Sequence, residues 1–205
     1  MAANPVVPFG FRIANQYGAV PPNYAMNNRA IAYNNTNKIA YGDPVYSLST
    51  GYIDVMAAGG STIHGILAAV EYPNPTAVGG FTFTNFWNDV SGLASTTVVV
   101  GKVYNDPTTV FMAQFIGTAL TVQAIGYNVD ITTATSGAPN SAGISVCSLG
   151  GTPATTSTYP FRIVGIVGAF GTPGGFPIPG YNPTFDNQFL YVKMNTSDLL
   201  STTGV

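Results

Sequence analysis

Glycine and proline are spread along this whole chain and limit it to short elements of secondary structure. The 205 residues include 24 glycines and 15 prolines, and no window keeps the i, i+3, i+4, i+7 spacing of apolar residues through three helical turns. Between the glycines and prolines lie short runs rich in Val, Ile, Thr, Tyr and Phe, which strands prefer. This pattern predicts an all-β protein.

Short strands separated by turn residues also predict how the β-structure is arranged. Gly42-Asp43-Pro44, Ser49-Thr50-Gly51 and Asn105-Asp106-Pro107 indicate turns, because glycine allows positive φ and proline fixes φ at a turn's second position. Such spacing is typical of small β-barrel, β-tulip or sandwich units. The predicted strands are 38–41, 44–48, 52–56, 63–70, 81–86, 96–104, 109–115, 122–125, 128–133, 144–148, 161–167 and 189–194.

Two stretches do not have the character of strands. Residues 1–35 contain several prolines and many asparagines but few aliphatic residues, so we expect an extended N-terminal arm. Residues 171–187 contain four prolines and four glycines, which predicts a long structured loop. Loops of this length inside a compact domain are uncommon and are often functional.

The remaining chain divides into a predicted first β unit, 36–118, and a second β unit, 119–205, which carries the loop. A glycine-initiated strand at 126–129, followed by an apolar strand at 161–167, weakly echoes the order of 42–45 and 63–67. Such an echo indicates a duplicated unit. The alternative is one continuous domain.

Charge is unusually sparse. Only 7% of residues are charged, with 6 Lys and Arg against 8 Asp and Glu and a net charge of −2, whereas about 25% is usual. Without a basic stripe we expect no nucleic-acid partner, and no apolar run reaches the roughly 18 residues of a membrane span. We expect partner subunits to cover much of the surface, where charges are costly to desolvate. The alternative is an ordinary β-domain with a neutral polar surface.

Residues suited to catalysis are few. The single cysteine, Cys147, cannot form an internal disulfide and is expected to be buried. The single histidine, His64, is expected to be a partly exposed or hydrogen-bonded strand residue, since nothing nearby supports a Cys–His dyad. Carboxylates are dispersed, and no phosphate loop or metal motif occurs. We therefore expect no enzyme and no cofactor. Because no signal peptide is recognisable, we expect a soluble protein made in a reducing cytoplasm.

Aromatic side chains are the remaining resource for binding. Some lie where a core is not expected, and protein interfaces are rich in Tyr, Phe and Arg. An alternative is a carbohydrate- or receptor-binding module, for which Tyr72, Trp87 and Asp89 are the nearest candidates. The residues predicted to bind a partner are Phe9, Phe11, Arg12 and Tyr17 in the arm, and Phe176 and Tyr181 in the loop.

A series of short motifs follows a distinctive order along the chain. The motifs are Pro8-Phe9-Gly10-Phe11-Arg12, Tyr41-Gly42-Asp43-Pro44-Val45, Phe86-Trp87, Val103-Tyr104-Asn105-Asp106-Pro107, residues 161–167 and Tyr191-Val192-Lys193-Met194-Asn195. The series resembles a family of phage virion proteins, the head decoration or cement proteins of tailed phages. The resemblance spans nearly the whole chain, although this chain has fewer charges and carries the proline-rich insertion at 171–187.

The resemblance implies a structural protein on the outside of a virion capsid, bound to the major capsid protein. It also implies self-association as a homotrimer at local three-fold positions, although dimers are used as well. Such a clamp would gain strength from many modest contacts, and an extended arm could add a strand to a neighbour's sheet. Phe9, Phe11 and Arg12 are the expected arm anchors. The alternative is that Phe9 and Phe11 fold back onto their own chain.

Overall fold

The structure is a computed structural model that describes residues 2–16, 24–74, 76–88, 93–133, 140–168 and 182–200. Within these ranges the chain forms strands and two short 3-10 helices, Val122–Ala124 and Asp198–Leu200, but no α-helix, which confirms the all-β prediction. The strands are β1 (Arg12–Gln16), β2 (Asn27–Ile31), β3 (Ile39–Ala40), β4 (Pro44–Ser47), β5 (Ile53–Val55), β6 (Gly65–Pro73), β7 (Phe81–Thr84), β8 (Phe86–Trp87), β9 (Val99–Tyr104), β10 (Thr109–Gln114), β11 (Asn128–Thr133), β12 (Ser148–Ala154), β13 (Phe161–Ile166) and β14 (Phe189–Met194).

The first sheet has the antiparallel order β1-β10-β14-β13-β11-β12. Its central strands bury both faces, because alternate residues of a strand point in opposite directions. Phe111 and Ala113 of β10 lie in the main core, whereas Val110 and Met112 belong to a smaller cluster that also contains Phe9. The N-terminal segment therefore covers one face of this sheet.

The second sheet has the order β2-β9-β6-β4-β5, and β7 pairs with the C-terminal half of β6, from Val70 to Pro73. One face contributes Val45, Leu67 and Val103 to a second core, which the short β3–β8 pair completes with Ile39 and Trp87. Among the described residues the opposite face reaches the main core at one end, where Ile66 is buried and Tyr46 and Tyr104 pack against the cluster. At its other end this face includes β7, whose two phenylalanines are exposed.

No sheet formed by the described residues closes into a barrel, so the predicted barrel or β-tulip is wrong. The nearest approach to closure is an isolated bridge between Phe115 and Leu149, which links the ends of β10 and β12. It does not extend into a ladder, and the end strands β1 and β12 of the first sheet remain unpaired with each other. Two open sheets instead share the main core.

Apolar alternation located most strands correctly. The prediction of 189–194 matches β14, and the segments at 44–48, 52–56, 109–115 and 128–133 each contain an observed strand. The segment at 63–70 overlaps β6, which continues to Pro73. The segment at 122–125 was predicted wrongly, because it contains a 3-10 helix. The segment at 144–148 was also wrong, since the strand in this region is β12, Ser148–Ala154.

The N-terminal segment lies on its own chain. β1 pairs with β10, and β2 pairs with β9 of the second sheet. Strand pairing also crosses the predicted boundary between 36–118 and 119–205, because β10 forms one sheet with β11 to β14. The division of the chain into one continuous domain or two β units stays a prediction.

Candidate functional site

The β6–β7 hairpin presents two phenylalanines to solvent. The sequence of β7, Phe-Thr-Phe-Thr, suits a strand because aromatic and β-branched side chains fill a pleated surface. Glu71 pairs with Phe83, and Pro73 pairs with Phe81. Directly opposed residues share a face, so both rings lie on the outer face of the sheet. Phe81 is 50% exposed and Phe83 is 67% exposed.

The same outer face continues onto β9. Val100 lies opposite Glu71, and Lys102 lies opposite Ala69. The Nζ atom of Lys102 is 3.0 Å from Oε2 of Glu71, which neutralises the two charges. We name Phe81, Phe83, Glu71, Val100 and Lys102 the aromatic face. It is apolar apart from this one compensated ion pair, and large exposed apolar patches usually mark binding surfaces.

A buried polar cluster surrounds the single histidine. Backbone pairing sets its geometry: Ile63 N–H donates to Thr196, and Asp198 N–H donates to Ile63. This pairing places Oδ2 of Asp198 2.8 Å from Nδ1 of His64, whose side chain is almost fully buried. His64 is hydrogen-bonded, which is one of the two alternatives expected from the sequence, but it is buried and lies one residue before β6.

Ser47 completes the arrangement, but not as a nucleophile. Its hydroxyl donates to Oδ2 of Asp198 at 2.6 Å and lies 3.1 Å from Nδ1 of His64. In a Ser-His-Asp triad the hydroxyl meets Nε2 and the carboxylate meets Nδ1. Here both groups meet Nδ1, so the imidazole offers no base to the hydroxyl. The cluster joins strands rather than activating Ser47.

The other ring nitrogen of His64 has an amide partner. Nδ2 of Asn105 lies 3.4 Å from Nε2 of His64, and Oδ1 of Asn105 accepts a hydrogen bond of 2.5 Å from Asn27. These roles assign a ring proton to Nδ1, where Asp198 accepts it. The cluster thus links β2, β4, the start of β6 and the Asp198–Leu200 turn.

Cys147 is buried, as predicted, and its thiol is poorly suited to reaction. Burial, together with the nearby Asp43 carboxylate, raises the pKa of Cys147 well above its ordinary value. A raised pKa leaves the thiol protonated, and the thiol is the unreactive form. Asp43 itself is buried and accepts hydrogen bonds from Ser145 Oγ at 2.5 Å and from the Ala40 N–H at 2.7 Å. Both residues stabilise the fold.

Two concave surfaces of the described residues carry little chemistry. One has a volume of about 430 Å³ and is lined by residues that include Leu120, Val122 and Ile166; another, of about 240 Å³, is lined by residues that include Thr62 and Asn195. Within the part of the chain that the structure describes, neither is lined by a charged side chain, His or Cys. Among the described residues no three His, Cys, Asp or Glu side chains converge as metal ligands, and no helix there is long and apolar enough to cross a membrane.

The structure packs the expected arm anchors against their own chain. Phe11 is 1% exposed and stacks on Phe161 at 4.3 Å between ring centroids. Phe9 stacks on Phe189 at 5.5 Å. This is the alternative that the sequence left open, and it leaves the Phe11 ring no surface for another subunit.

Arg12 lies beside Phe9 but points to a different neighbour. Its guanidinium carbon is 4.0 Å from the centroid of the Tyr41 ring and 5.9 Å from that of Phe9. The Nη1 atom is buried without a hydrogen-bond partner among the described residues. Partner binding by Phe9 and Arg12 stays a prediction, and both side chains already have intramolecular contacts.

The other predicted binding residues divide into two groups. Tyr17, Phe176, Tyr181 and Asp89 lie outside the described residues. Tyr72 and Trp87, the candidates for sugar stacking, are 9% and 0% exposed and contact each other edge to face at 6.0 Å. They form part of the second core, so these two rings provide no exposed platform.

Sequence analysis identified β7 as part of a strand but missed its binding potential. The available signal was the Phe-Thr-Phe-Thr alternation without a charge between Val78 and Trp87. Alternation alone cannot tell which face of a strand is buried. The answer came from Val70 and Tyr72 on the neighbouring strand, which are buried and place Glu71 and the two phenylalanines on the opposite face.

Comparison with known proteins adds no relative to this description. No family model, curated protein or solved structure matches the chain.

Proposed function

We propose that this chain is a non-enzymatic structural protein that binds protein subunits of a larger assembly. The aromatic face carries the proposal: Phe81 and Phe83 are at least half exposed on the β6–β7 hairpin, and the neighbouring charges of Glu71 and Lys102 neutralise each other. Exposed aromatic side chains with few free charges are the composition of protein interface cores. A protein surface offers the apolar cover that these rings lack.

Other partner classes fit the described surface less well. A nucleic acid requires several free Lys or Arg side chains, whereas the one lysine of the aromatic face is already paired with Glu71. A small-molecule site requires a pocket with converging polar groups, and the two rings lie on an open sheet face. The favoured partner is therefore another folded protein with an apolar patch.

For the assembly itself, we propose the exterior of a tailed-phage capsid, with the major capsid protein as the partner. The support is the ordered series of motifs that resembles cement proteins, together with a charged fraction of only 7%. Repetition over a lattice would make many weak contacts effective through avidity. Two exposed rings on a strand that is already paired suit such a role, because the backbone that carries them is ordered before docking.

Cosedimentation with expanded capsids that lack decoration tests this function. We expect saturable binding of the wild-type chain at a fixed ratio to the major capsid protein. The double variant Phe81→Ser/Phe83→Ser should bind at least tenfold more weakly, since interface anchors commonly contribute a tenfold effect or more. Val122→Ser is a matched control, because Val122 is 59% exposed on a different surface.

The outcomes separate the two parts of the proposal. A folded wild-type chain that fails to bind capsids overturns the capsid assignment. Binding that survives the double variant unchanged overturns the role of the aromatic face. Equal weakening by Val122→Ser would place the contact elsewhere and would also count against the aromatic face.

A further inference from the structure

We infer that a second copy of this chain pairs with the outer edge of β7, and that the two copies form one continuous sheet. The inference deepens the proposed function, because it identifies a partner for the same hairpin. Among the described residues β7 pairs only with β6. Its other edge carries no charged residue and no proline, the usual devices that keep edge strands apart.

Hydrogen-bond parity shows which backbone groups the free edge presents. Asn74 N–H donates to Gly80 C=O at the end of the hairpin. In an antiparallel pair, hydrogen-bonded and non-bonded residue pairs alternate. Thr82 and Thr84 therefore direct their backbone groups toward β6, opposite Tyr72 and Val70. The N–H and C=O groups of Phe81 and Phe83 point outward, and no described residue pairs with them.

This edge is complementary to itself in one register. With a two-fold axis through Thr82, Phe81 of one copy lies opposite Phe83 of the other. Because these residues carry the outward groups, each such pair exchanges both backbone hydrogen bonds. Every outward N–H and C=O group of β7 then has a partner in the other copy. If the register is shifted by one residue in either direction, Phe81 and Phe83 lie opposite residues whose backbone groups point toward β6, and these hydrogen bonds are lost. The symmetry is that of an isologous dimer.

Pairing in this register also joins the two aromatic faces. Opposed residues share a face, so the Phe81 and Phe83 rings of both copies would lie side by side on one surface. The strand is uncharged, and each Glu71 is already paired with Lys102, so no like charges meet. The dimer would offer a capsid protein twice the aromatic surface of one copy. Since the added edge is short, we expect exchange between monomer and dimer.

A charge swap at Thr82 tests the two-fold axis directly. In the dimer the Thr82 side chains of both copies are opposite each other, and like charges at such positions are destabilising. Sedimentation velocity of the full chain should show a concentration-dependent dimer for wild type. The Kd should rise about tenfold or more for Thr82→Lys or Thr82→Asp alone. An equimolar mixture of the two variants should restore dimers.

A matched variant and a second readout complete the test. Thr121→Lys adds the same charge at an exposed threonine whose side chain makes no capping hydrogen bond, and it should dimerise as wild type does. Circular dichroism checks that all variants keep the fold. A wild-type chain that stays monomeric, a trimer without a dimer, or single variants that dimerise normally would overturn the inference. Failure of the mixture to recover would overturn the axis through Thr82.

Capsid cosedimentation of the same variants keeps this inference separate from the proposed function. Dimers that form and respond to the charge swap but do not bind capsids would leave the inference standing and overturn the capsid assignment. Monomeric Thr82→Lys that binds capsids as tightly as wild type would overturn the link between pairing and docking.

Discussion

Asp198 meets His64 across 134 residues of sequence, with 2.8 Å between Oδ2 and Nδ1. This contact links the Asp198–Leu200 turn to the residues just before β6. Asp198 N–H also donates to the Ile63 carbonyl, which strengthens the link. Ser47 donates to the same carboxylate. One side chain near the end of the chain thus satisfies two buried polar groups of the second sheet.

Replacing Asp198 should therefore cost stability. Asp198→Ala leaves the His64 Nδ1–H and the Ser47 hydroxyl without their shared acceptor, and unsatisfied buried groups cost about 1–3 kcal/mol. We expect the free energy of unfolding in urea to fall by that amount, with faster hydrogen exchange at Ile63. Leu199→Ala is the control, since Leu199 is 51% exposed. Equal effects of the two substitutions would contradict the role of the cluster.

A substitution at Phe11 tests whether this residue stabilises the core of its own chain or binds another subunit. Because its ring is fully buried on Phe161, Phe11→Ala should destabilise the isolated chain by about 3–5 kcal/mol. Val7→Ala, at a residue that is 56% exposed in the same segment, should change stability by less than about 0.5 kcal/mol. Thermal and urea unfolding measure both. A Phe11→Ala chain that is as stable as wild type but impaired in partner binding would favour the extended arm.

The sequence predicted those elements whose own residues determine their structure. Residues 189–194 carry enough apolar side chains for both faces of a buried strand, and β14 has these bounds. β1 and β2 were missed because Arg12–Gln16 and Asn27–Ile31 are mostly polar, and they become strands only by pairing with β10 and β9. Tertiary pairing overrides weak strand propensity.

The His64 cluster and the aromatic face were harder to predict than the strands, because both depend on contacts between residues far apart in the sequence. Nothing in the sequence near His64 indicates Asp198, and the two meet only through the pairing of Ile63 with residues 196–198. Similarly, Phe81 and Phe11 each follow a glycine, yet Phe81 is 50% exposed and Phe11 is 1% exposed. Burial follows from which sheet covers each face.

Cys147 should make the fold sensitive to alkaline pH. Burial and Asp43 raise the pKa of Cys147 in the folded state, whereas the pKa of a cysteine thiol in an unfolded chain is about 8.5. Below that pH both states keep the proton. Above it only the unfolded state loses the proton, so stability falls as pH rises toward the folded pKa, by at most about 1.4 kcal/mol per pH unit.

Urea unfolding between pH 7.5 and 9.5, values that bracket the unfolded thiol pKa of about 8.5, measures this effect. Wild type should lose more stability over the range than Cys147→Ala, so the difference between them should change with pH. Burial also raises the pKa values of Tyr104 and Tyr191, and these residues should affect the free energy of unfolding only above about pH 10. Parallel pH profiles for wild type and Cys147→Ala would contradict the linkage.

Gly10 should be far less replaceable than Gly51, although both have left-handed backbone, with φ of +70° and +85°. A Cβ at Gly51 meets nothing within 4 Å, so Gly51→Ala should cost only the conformational strain of roughly 1–2 kcal/mol. A Cβ at Gly10 would lie 2.5 Å from the Ser145 Cβ and 2.7 Å from the Gly42 carbonyl oxygen.

Neither of those neighbours can withdraw easily. Ser145 is held by its hydrogen bond to Asp43, and the Gly42 carbonyl accepts the Phe11 N–H at 2.9 Å. Gly10→Ala should therefore cost about 1–3 kcal/mol more than Gly51→Ala, and urea unfolding of the two variants measures the difference. Because the displaced carbonyl anchors Phe11, hydrogen exchange should also increase at the Phe11 amide in Gly10→Ala alone. Equal costs would mean that the N-terminal segment does not dock against Ser145.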